Sequence, residues 1–223
     1  MKPLENRTVV ITGALGGLGK TVCAVAESQG ARVIRLDIAG EESLADSYAV
    51  DLTNADATRA LIQSLGPFDS LVNLAGGFAM GTESWDASDE QWDLMFSLNV
   101  STMRNAIKAA VPVLLEQQAG SIVNVGAFGA REGQGLMGAY CASKSVVMRL
   151  TETLAEELKT RGINVNAVLP TVIDTPANRA AMPDSDPADW VSPDDLASVI
   201  CFLLSPAARA VHGALVPVRG LSE

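Results

Sequence analysis

A glycine-rich turn near the start of the chain limits the folds open to it more than any other stretch. An apolar run at 9–11 leads into Gly13, Gly17 and Gly19, and an alanine- and valine-rich helical pattern begins within the turn. Backbone without side chains can approach a phosphate closely, and the start of a helix offers unpaired N–H groups and the positive end of its dipole. The turn therefore predicts a nucleotide site on a strand–turn–helix unit.

Two kinds of nucleotide site fit this turn. The spacing G-x-x-x-G-x-G is a variant of the dinucleotide fingerprint in which the turn is one residue longer. The run from Ala14 to Thr21 also matches the phosphate loop of nucleoside triphosphatases, with alanine in place of the first glycine. In that case Lys20 would hold the terminal phosphates and Thr21 a magnesium ion. The remaining chain has to decide between the two.

Composition excludes several classes of protein. At 223 residues and 48% hydrophobic content, the chain is expected to form one domain over 1–223. A net charge of −10 argues against nucleic acid as a partner. The apolar runs are too short for a membrane span, and the polar start predicts no signal peptide. Three scattered cysteines and one histidine predict a cytoplasmic protein with no metal site.

The order of the elements predicts the fold class. Strand and helix patterns alternate from end to end, which is typical of one doubly wound, Rossmann-type parallel sheet with helices on both faces. The expected strands are 7–12, 32–37, 48–51, 69–75, 120–126, 163–169 and 215–218. The expected helices are 17–29, a short one at about 41–46, 53–65 capped by Thr53, 88–118 kinked at Pro112, 138–161, and one capped by Ser192. The proline-rich stretch at about 171–191 is expected to form a substrate lid.

The acid at the end of the second strand predicts which dinucleotide binds. Asp37 lies 24 residues after Gly13, close to where an acid would receive the adenosine ribose hydroxyls. A 2′-phosphate would need a basic residue at position 16 or 38, but this chain has Gly16 and Ile38 there. The sequence therefore favours NAD, with NADH preferred over NADPH.

The deciding pattern is a tyrosine four residues before a lysine. On a helix, Tyr140 and Lys144 share a face, so the phenol and the ammonium group can converge. A nearby cation favours the phenolate and is expected to lower the pKa of Tyr140 towards neutrality, which makes it a usable proton donor and acceptor. Lys144 could also hold the nicotinamide ribose. The phosphate-loop interpretation becomes the third alternative, because a triphosphate site does not explain the Tyr140/Lys144 pair.

At this point nearly the whole chain resembles the short-chain dehydrogenase/reductase family. The motifs are the turn from Thr12 to Gly19, the Asn73-Leu74-Ala75-Gly76 turn, Asn99, the Tyr140/Lys144 pair, and Pro170 with Thr175. The resemblance implies an oxidoreductase, built as a homodimer or homotetramer, in which Tyr140, Lys144 and Asn99 are catalytic. In the family the asparagine positions a water of the proton relay. The cofactor contacts that it implies are Gly13, Leu15, Gly17, Leu18, Gly19, Asp37, Asp51, Leu52, Ala75, Gly76, Tyr140, Lys144, Pro170, Ile173 and Thr175.

One position departs from the family pattern. The family's catalytic serine usually lies 13 residues before the tyrosine, where this chain has Ala127. This alanine has two explanations. The protein is a weak or inactive dinucleotide-binding homologue that serves as a sensor or assembly protein, or it is an enzyme whose substrate does not need a serine hydroxyl as a second hydrogen-bond donor.

Dihydropteridine reductases, which the chain resembles in this alanine, favour the second explanation, because their activated pterin ring accepts hydride readily. The predicted reaction is hydride transfer to a C=O or C=N of a small, cyclic substrate, dihydropteridine-reductase-like or carbonyl/3-oxoacyl-reductase-like. The candidate substrate contacts are Phe78, Ala127, Gln134, Met182 and Trp190.

Overall fold

The computed structural model describes residues 2–221, and across them seven strands form one parallel sheet. The strands are β1 (Thr8–Thr12), β2 (Arg32–Asp37), β3 (Ser47–Ala49), β4 (Ser70–Asn73), β5 (Gly120–Val125), β6 (Ile163–Pro170) and β7 (Leu215–Val218). The helices are α1 (Gly17–Ser28), α2 (Ala55–Ser64), α3 (Asp89–Phe96), α4 (Thr102–Gln117), α5 (Gly138–Leu158), α6 (Pro176–Ala181) and α7 (Pro193–Leu204). Among the helices of residues 2–221, none is both long and apolar enough to cross a membrane.

Helices cover both faces of the sheet, and this confirms the predicted fold class. Successive strand residues point to opposite faces, so Val10 enters one core while Val9 and Ile11 enter the other. The first core includes residues of α2, α4 and α5, and the second includes residues of α1 and α7. Strands buried on both faces need continuous apolar runs, which is why those runs were visible in the sequence.

The strand order places a crevice at the centre of the sheet. The order is β3-β2-β1-β4-β5-β6-β7, so the chain moves outward in one direction from β1 and then returns to start again at β4. At such a reversal the loops leave the carboxyl ends of two neighbouring strands in opposite directions. Ligands of open parallel sheets bind in the gap between those loops.

Two local predictions, one for the connection between β2 and β3 and one for the start of α2, were wrong. Within the described chain, the connection 38–46 between β2 and β3 contains turns and no helix. Nine residues that include Gly40 leave no room for a helical crossover, and the Arg32 guanidinium instead binds the Asp46 carboxylate at 2.7 and 2.8 Å. The cap of α2 is Asn54 rather than Thr53, because its side chain accepts from the N–H groups of the first turn.

The long helix expected over 88–118 is interrupted at a different place from the one predicted. Ser88 caps α3 as expected, and α4 runs through Pro112. The irregular segment is a π-helical turn, Ser97–Ser101, between the two helices. A π-turn accommodates one extra residue, and such turns are frequent at functional sites. This one contains the buried Asn99.

Candidate cofactor and catalytic site

A crevice of about 620 Å³ opens at the carboxyl ends of β1, β2 and β4. Ten of the predicted cofactor residues line it: Gly13, Leu15, Gly17, Leu18, Gly19, Asp37, Asp51, Leu52, Ala75 and Gly76. Eight further lining residues were not predicted: Gly16, Ile38, Ala39, Val50, Thr53, Leu74, Leu98 and Thr102. Most of these directly follow or precede a predicted residue, which is the signal that could have found them. We call this cavity the strand-end crevice.

The glycine turn is fixed by close backbone approaches. Gly13 has a φ of +64°, and a Cβ there would lie 2.7 Å from the backbone nitrogen of Ala75. A Cβ on Gly19 would clash with the Gly13 carbonyl oxygen. In the described chain Gly16 is the N-cap of α1 and makes no side-chain capping bond, so the first N–H groups of this helix have no side-chain acceptor. Lys20 is exposed and is not among the lining residues, so the phosphate-loop alternative finds no support here.

An acid and a hydroxyl tie the turn to its neighbours. The Asp37 carboxylate accepts from the Leu15 N–H and the Ile38 N–H, each at 2.8 Å. The Thr12 hydroxyl accepts from the N–H groups of Leu74 and Ala75, which joins the tip of β1 to the turn after β4. A bare glycine turn, an open helix start and an acid at the end of β2 therefore share one crevice. These residues fit a dinucleotide.

Burial shifts the pKa values of both Tyr140 and Lys144. Burial raises the pKa of Tyr140 to about 12, and the neighbouring Cys141 thiol adds to the rise. This is opposite to the expected lowering. The Lys144 ammonium donates to the Val125 carbonyl oxygen at 2.9 Å, and burial lowers its pKa to about 8. Loss of hydration therefore sets the direction of both shifts in this structure.

Lys144 also reaches the edge of the strand-end crevice. A Cβ built on Gly76 would lie 3.4 Å from the Lys144 Nζ. The lysine therefore stands where the crevice meets α5, with Tyr140 one helical turn earlier. This arrangement joins the predicted catalytic pair to the predicted cofactor turn.

The side chain of Asn99 is occupied by protein groups. Its Oδ1 accepts from the Gly77 N–H at 2.9 Å, while its Nδ2 donates to the Gly77 carbonyl oxygen at 3.1 Å and to the Ser143 hydroxyl at 3.0 Å. The carboxamide therefore fixes the turn after β4 against α5. That Asn99 positions a relay water stays a prediction.

Two of the candidate substrate residues lie beside Tyr140. The Phe78 ring meets the Tyr140 ring edge to face, with centroids 4.8 Å apart, and Phe78 is 54% exposed. Ala127 is buried in an apolar cluster with Cys141, Met148 and Leu169, against which Tyr140 packs. The position of the family's serine is therefore apolar here.

The other candidates are more scattered. Pro170 ends β6, Ile173 pairs with Val191, and Thr175 lies across from Gly17, where an added Cβ would come 3.4 Å from its side chain. Met182 ends α6, half-buried, and Trp190 is buried, with its carbonyl oxygen against Gly220. Gln134 lines a second cavity with Ser84 and Ser145, away from the strand-end crevice. The contacts predicted for these residues stay predictions.

Sequence reasoning missed Ser143. This fully buried hydroxyl accepts from Asn99 and donates to the Tyr140 carbonyl oxygen at 2.8 Å. A polar residue three positions after Tyr140, on the side of α5 that faces the core, is the signal that could have found it.

Comparison with known proteins gives matches over nearly the whole chain. A family model described as short chain dehydrogenase matches residues 7–186. A 3-oxoacyl-acyl-carrier-protein reductase of Thermotoga maritima is 32% identical, covering 97% of this chain and 98% of the relative. The structure of carveol dehydrogenase from Mycobacterium avium in complex with NAD is 27% identical, with a TM-score of 0.86 and 98% of each chain covered. That of Thermoplasma acidophilum aldohexose dehydrogenase is 29% identical, with a TM-score of 0.89, covering 99% of this chain and 96% of the other.

Proposed function

The chain belongs to the short-chain dehydrogenase/reductase family, and on that premise we propose that it uses NADH to reduce a C=O or C=N bond of a small, cyclic substrate. Membership makes it an NAD(P)-dependent oxidoreductase. The observation that carries the proposed NADH-dependent reduction is the close approach of Lys144 to Gly76 at the edge of the strand-end crevice. This approach supports a role for the Tyr140/Lys144 pair beside a cofactor bound in the crevice.

The preference for NADH rests on Asp37. Its carboxylate lies in the crevice, where it would accept from ribose hydroxyls and repel a 2′-phosphate. The open N–H groups at the start of α1 would hold the pyrophosphate, and Lys144 the nicotinamide ribose. Pro170, Ile173 and Thr175 would hold the carboxamide end, with Thr175 standing across from the glycine turn.

The proton of the reduction comes from Tyr140. When bound, the reduced nicotinamide supplies a hydride to the substrate carbon. The Tyr140 hydroxyl gives its proton to the substrate oxygen or nitrogen and regains one from solvent. Because burial raises the pKa of Tyr140 to about 12, the phenol holds its proton at neutral pH and is a weaker acid than an exposed tyrosine. General acid catalysis of this kind contributes about 10²–10⁴ in rate.

The substrate class follows from what surrounds Tyr140. Ala127 offers no hydroxyl to polarise a carbonyl, and its cluster is apolar. The half-exposed Phe78 ring beside Tyr140 would pack against a ring of the substrate. These features favour an activated ring that accepts hydride with one proton donor, as a dihydropteridine-reductase-like enzyme requires. A 3-oxoacyl- or carbonyl-reductase-like substrate is the competing proposal, since a relative with 32% identity carries the 3-oxoacyl name.

We extend the proposal to the setting in which the enzyme works. The whole chain would act as one catalytic domain, with 171–191 as its lid, in a homodimer or homotetramer as the family resemblance implies. The lid would bring Met182 and Trp190 to the substrate. The buried free thiols Cys23, Cys141 and Cys201 fit a reducing cytoplasm.

A substrate panel tests the proposal. Oxidation of NADH is followed with quinonoid dihydropterin, cyclic diketones, a 3-oxoacyl thioester and simple acyclic ketones. We expect turnover of the cyclic substrates and little of the acyclic ones. In the Ala127→Ser variant the acyclic ketones should gain most, because the new hydroxyl supplies a second donor. Preference for acyclic ketones by the unaltered enzyme would contradict the cyclic assignment.

The loss of the serine supports one competing function. A protein that binds NADH tightly, with no turnover across the panel, would be a dinucleotide-binding sensor or assembly protein. Fluorescence titration of NADH on the same preparation separates the two. Binding without turnover, unchanged in Ala127→Ser, would overturn the reductase proposal in favour of this one.

A further inference from the structure

We propose that Ser143 is a positioning residue that holds the Gly76–Phe78 turn at a fixed place against Tyr140. The proposal rests on the proposed function, because it assigns the serine a part in aligning the same catalytic site. Ser143 lies inside the Tyr140–Lys144 interval of α5 and is fully buried. It is the one member of this interval whose side chain joins α5 to the π-turn by a hydrogen bond in the described structure.

The hydrogen bonds of Ser143 have defined directions. A carbonyl oxygen only accepts, so the single hydroxyl proton goes to the Tyr140 carbonyl oxygen at 2.8 Å. The Ser143 oxygen is then free to accept from Asn99 Nδ2 at 3.0 Å. The orientation of the carboxamide is fixed independently, because its two ends match the N–H and the carbonyl of Gly77. A flipped carboxamide would place N–H against N–H.

These bonds hold a turn that touches both catalytic side chains. Phe78 follows Gly77, and its ring meets the Tyr140 ring at 4.8 Å. Gly76 precedes it and faces the Lys144 Nζ. We call the linked groups of Ser143, Asn99 and Gly77 the turn clamp. Without the Ser143 hydroxyl, a buried Asn99 N–H keeps only the weak Met95 Sδ acceptor at 3.9 Å, and rotation of the carboxamide to find a better one would release the turn.

Two hydroxyls on the same helix provide matched controls. Ser145 donates to the Ala130 carbonyl oxygen at 3.0 Å. Thr151 forms a similar buried pair, accepting from Asn124 Nδ2 at 2.9 Å and donating to the Val147 carbonyl oxygen at 2.8 Å. Neither hydroxyl belongs to the turn clamp. If Ser143→Ala acted only by destabilising α5, Ser145→Ala or Thr151→Val should change the surroundings of Tyr140 as much as Ser143→Ala does.

The first experiment needs no substrate. The chain has two tyrosines, so protein labelled with 3-fluorotyrosine gives signals from Tyr48 and Tyr140 alone, and Tyr48→Phe assigns them. We expect Ser143→Ala to shift or broaden the Tyr140 fluorine signal, because the Phe78 ring moves relative to it. Ser145→Ala and Thr151→Val should leave that signal in place. An unchanged Tyr140 signal in folded Ser143→Ala overturns the proposal, whatever the enzyme turns over.

The second experiment uses turnover of the best substrate in the panel. Ser143→Ala should lower kcat about 10-fold while the KM for NADH stays within about twofold, because alignment at Tyr140 is lost and cofactor binding is not. In the Asn99→Ala background the same change should cost less than about twofold, since the clamp is already open. Fully additive losses would show that Ser143 acts independently of Asn99 and would overturn the proposal.

A second variant covers the case in which Ser143→Ala does not fold. Asn99→Ala opens the turn clamp from its other end, so it should shift or broaden the Tyr140 fluorine signal in the same way. A Tyr140 signal left in place by folded Asn99→Ala would overturn the proposal.

Discussion

The two halves of the site are built from different materials. The strand-end crevice is lined by a glycine turn and by residues that follow β1, β2 and β4 directly, and the helix that starts there has no side-chain capping bond in the described chain. The half around Tyr140, which we propose for the substrate, is built from side chains on the turn after β4, the π-turn and α5. Backbone donors recognise a group common to all dinucleotides, whereas side chains can vary with the substrate. This explains why the crevice follows the family pattern while Ala127 departs from it.

Removing the Tyr140 hydroxyl should separate the two halves most sharply. In Tyr140→Phe we expect kcat to fall by about 10²–10⁴, because the general acid is lost. The affinity for NADH, measured by fluorescence titration, should change by no more than about twofold, because the residues that line the strand-end crevice are unaltered. Normal turnover by this variant would remove Tyr140 from the mechanism.

Lys144 stands between the two halves, and its burial should appear in the pH dependence of stability. Its pKa falls from 10.5 to about 8 on folding, so between these values the unfolded chain binds more protons and stability rises with pH. The stabilisation of Lys144→Met relative to the natural chain should therefore shrink as pH rises from 7 to 10.5, by at most about 3 kcal/mol. Denaturant unfolding at several pH values measures it. A pH-independent difference would contradict the burial of a charged ammonium group.

Changing Asp37 should alter the cofactor half alone. In Asp37→Asn the side chain can still accept from the Leu15 N–H, but it no longer repels a 2′-phosphate. We expect the ratio of kcat/KM for NADPH to that for NADH to rise about 10- to 100-fold, or about 1.4–2.8 kcal/mol. Asp51→Asn, at another acid of the crevice, should leave this ratio within about twofold. A natural enzyme that already prefers NADPH would refute the role of Asp37.

The smallest effect is expected at Phe78. The Phe78→Leu change keeps apolar bulk and removes the ring that would pack against a ring of the substrate, so KM for cyclic substrates should rise about 2- to 10-fold, the equivalent of an aromatic pair. Acyclic substrates should be affected less. Met80→Leu, on the same loop and similarly exposed, should leave both unchanged. An equal loss for cyclic and acyclic substrates would mean that Phe78 acts only on Tyr140.

The fold class and most of the strand-end crevice could be predicted from local sequence patterns. Glycine spacing, an acid at a strand end and apolar runs are local patterns, and a parallel sheet brings the ends of its strands together whatever the loops do. Gly13, Asp37 and Ala75 could therefore be placed in one cavity from the sequence alone. The Tyr140–Lys144 spacing predicted a shared helix face for the same reason.

The contacts of each side chain are set by how the helices and strands pack against one another. Packing brings Asn99 to Ser143, 44 positions away in the chain, and a π-turn that no local pattern indicated carries that asparagine. The pKa of Tyr140 follows the same rule: a charge four residues away predicted a lowering, whereas burial raised it, because desolvation depends on every atom packed around the phenol. Chain-local patterns specify which elements form; distances and burial between elements are set only when the elements pack.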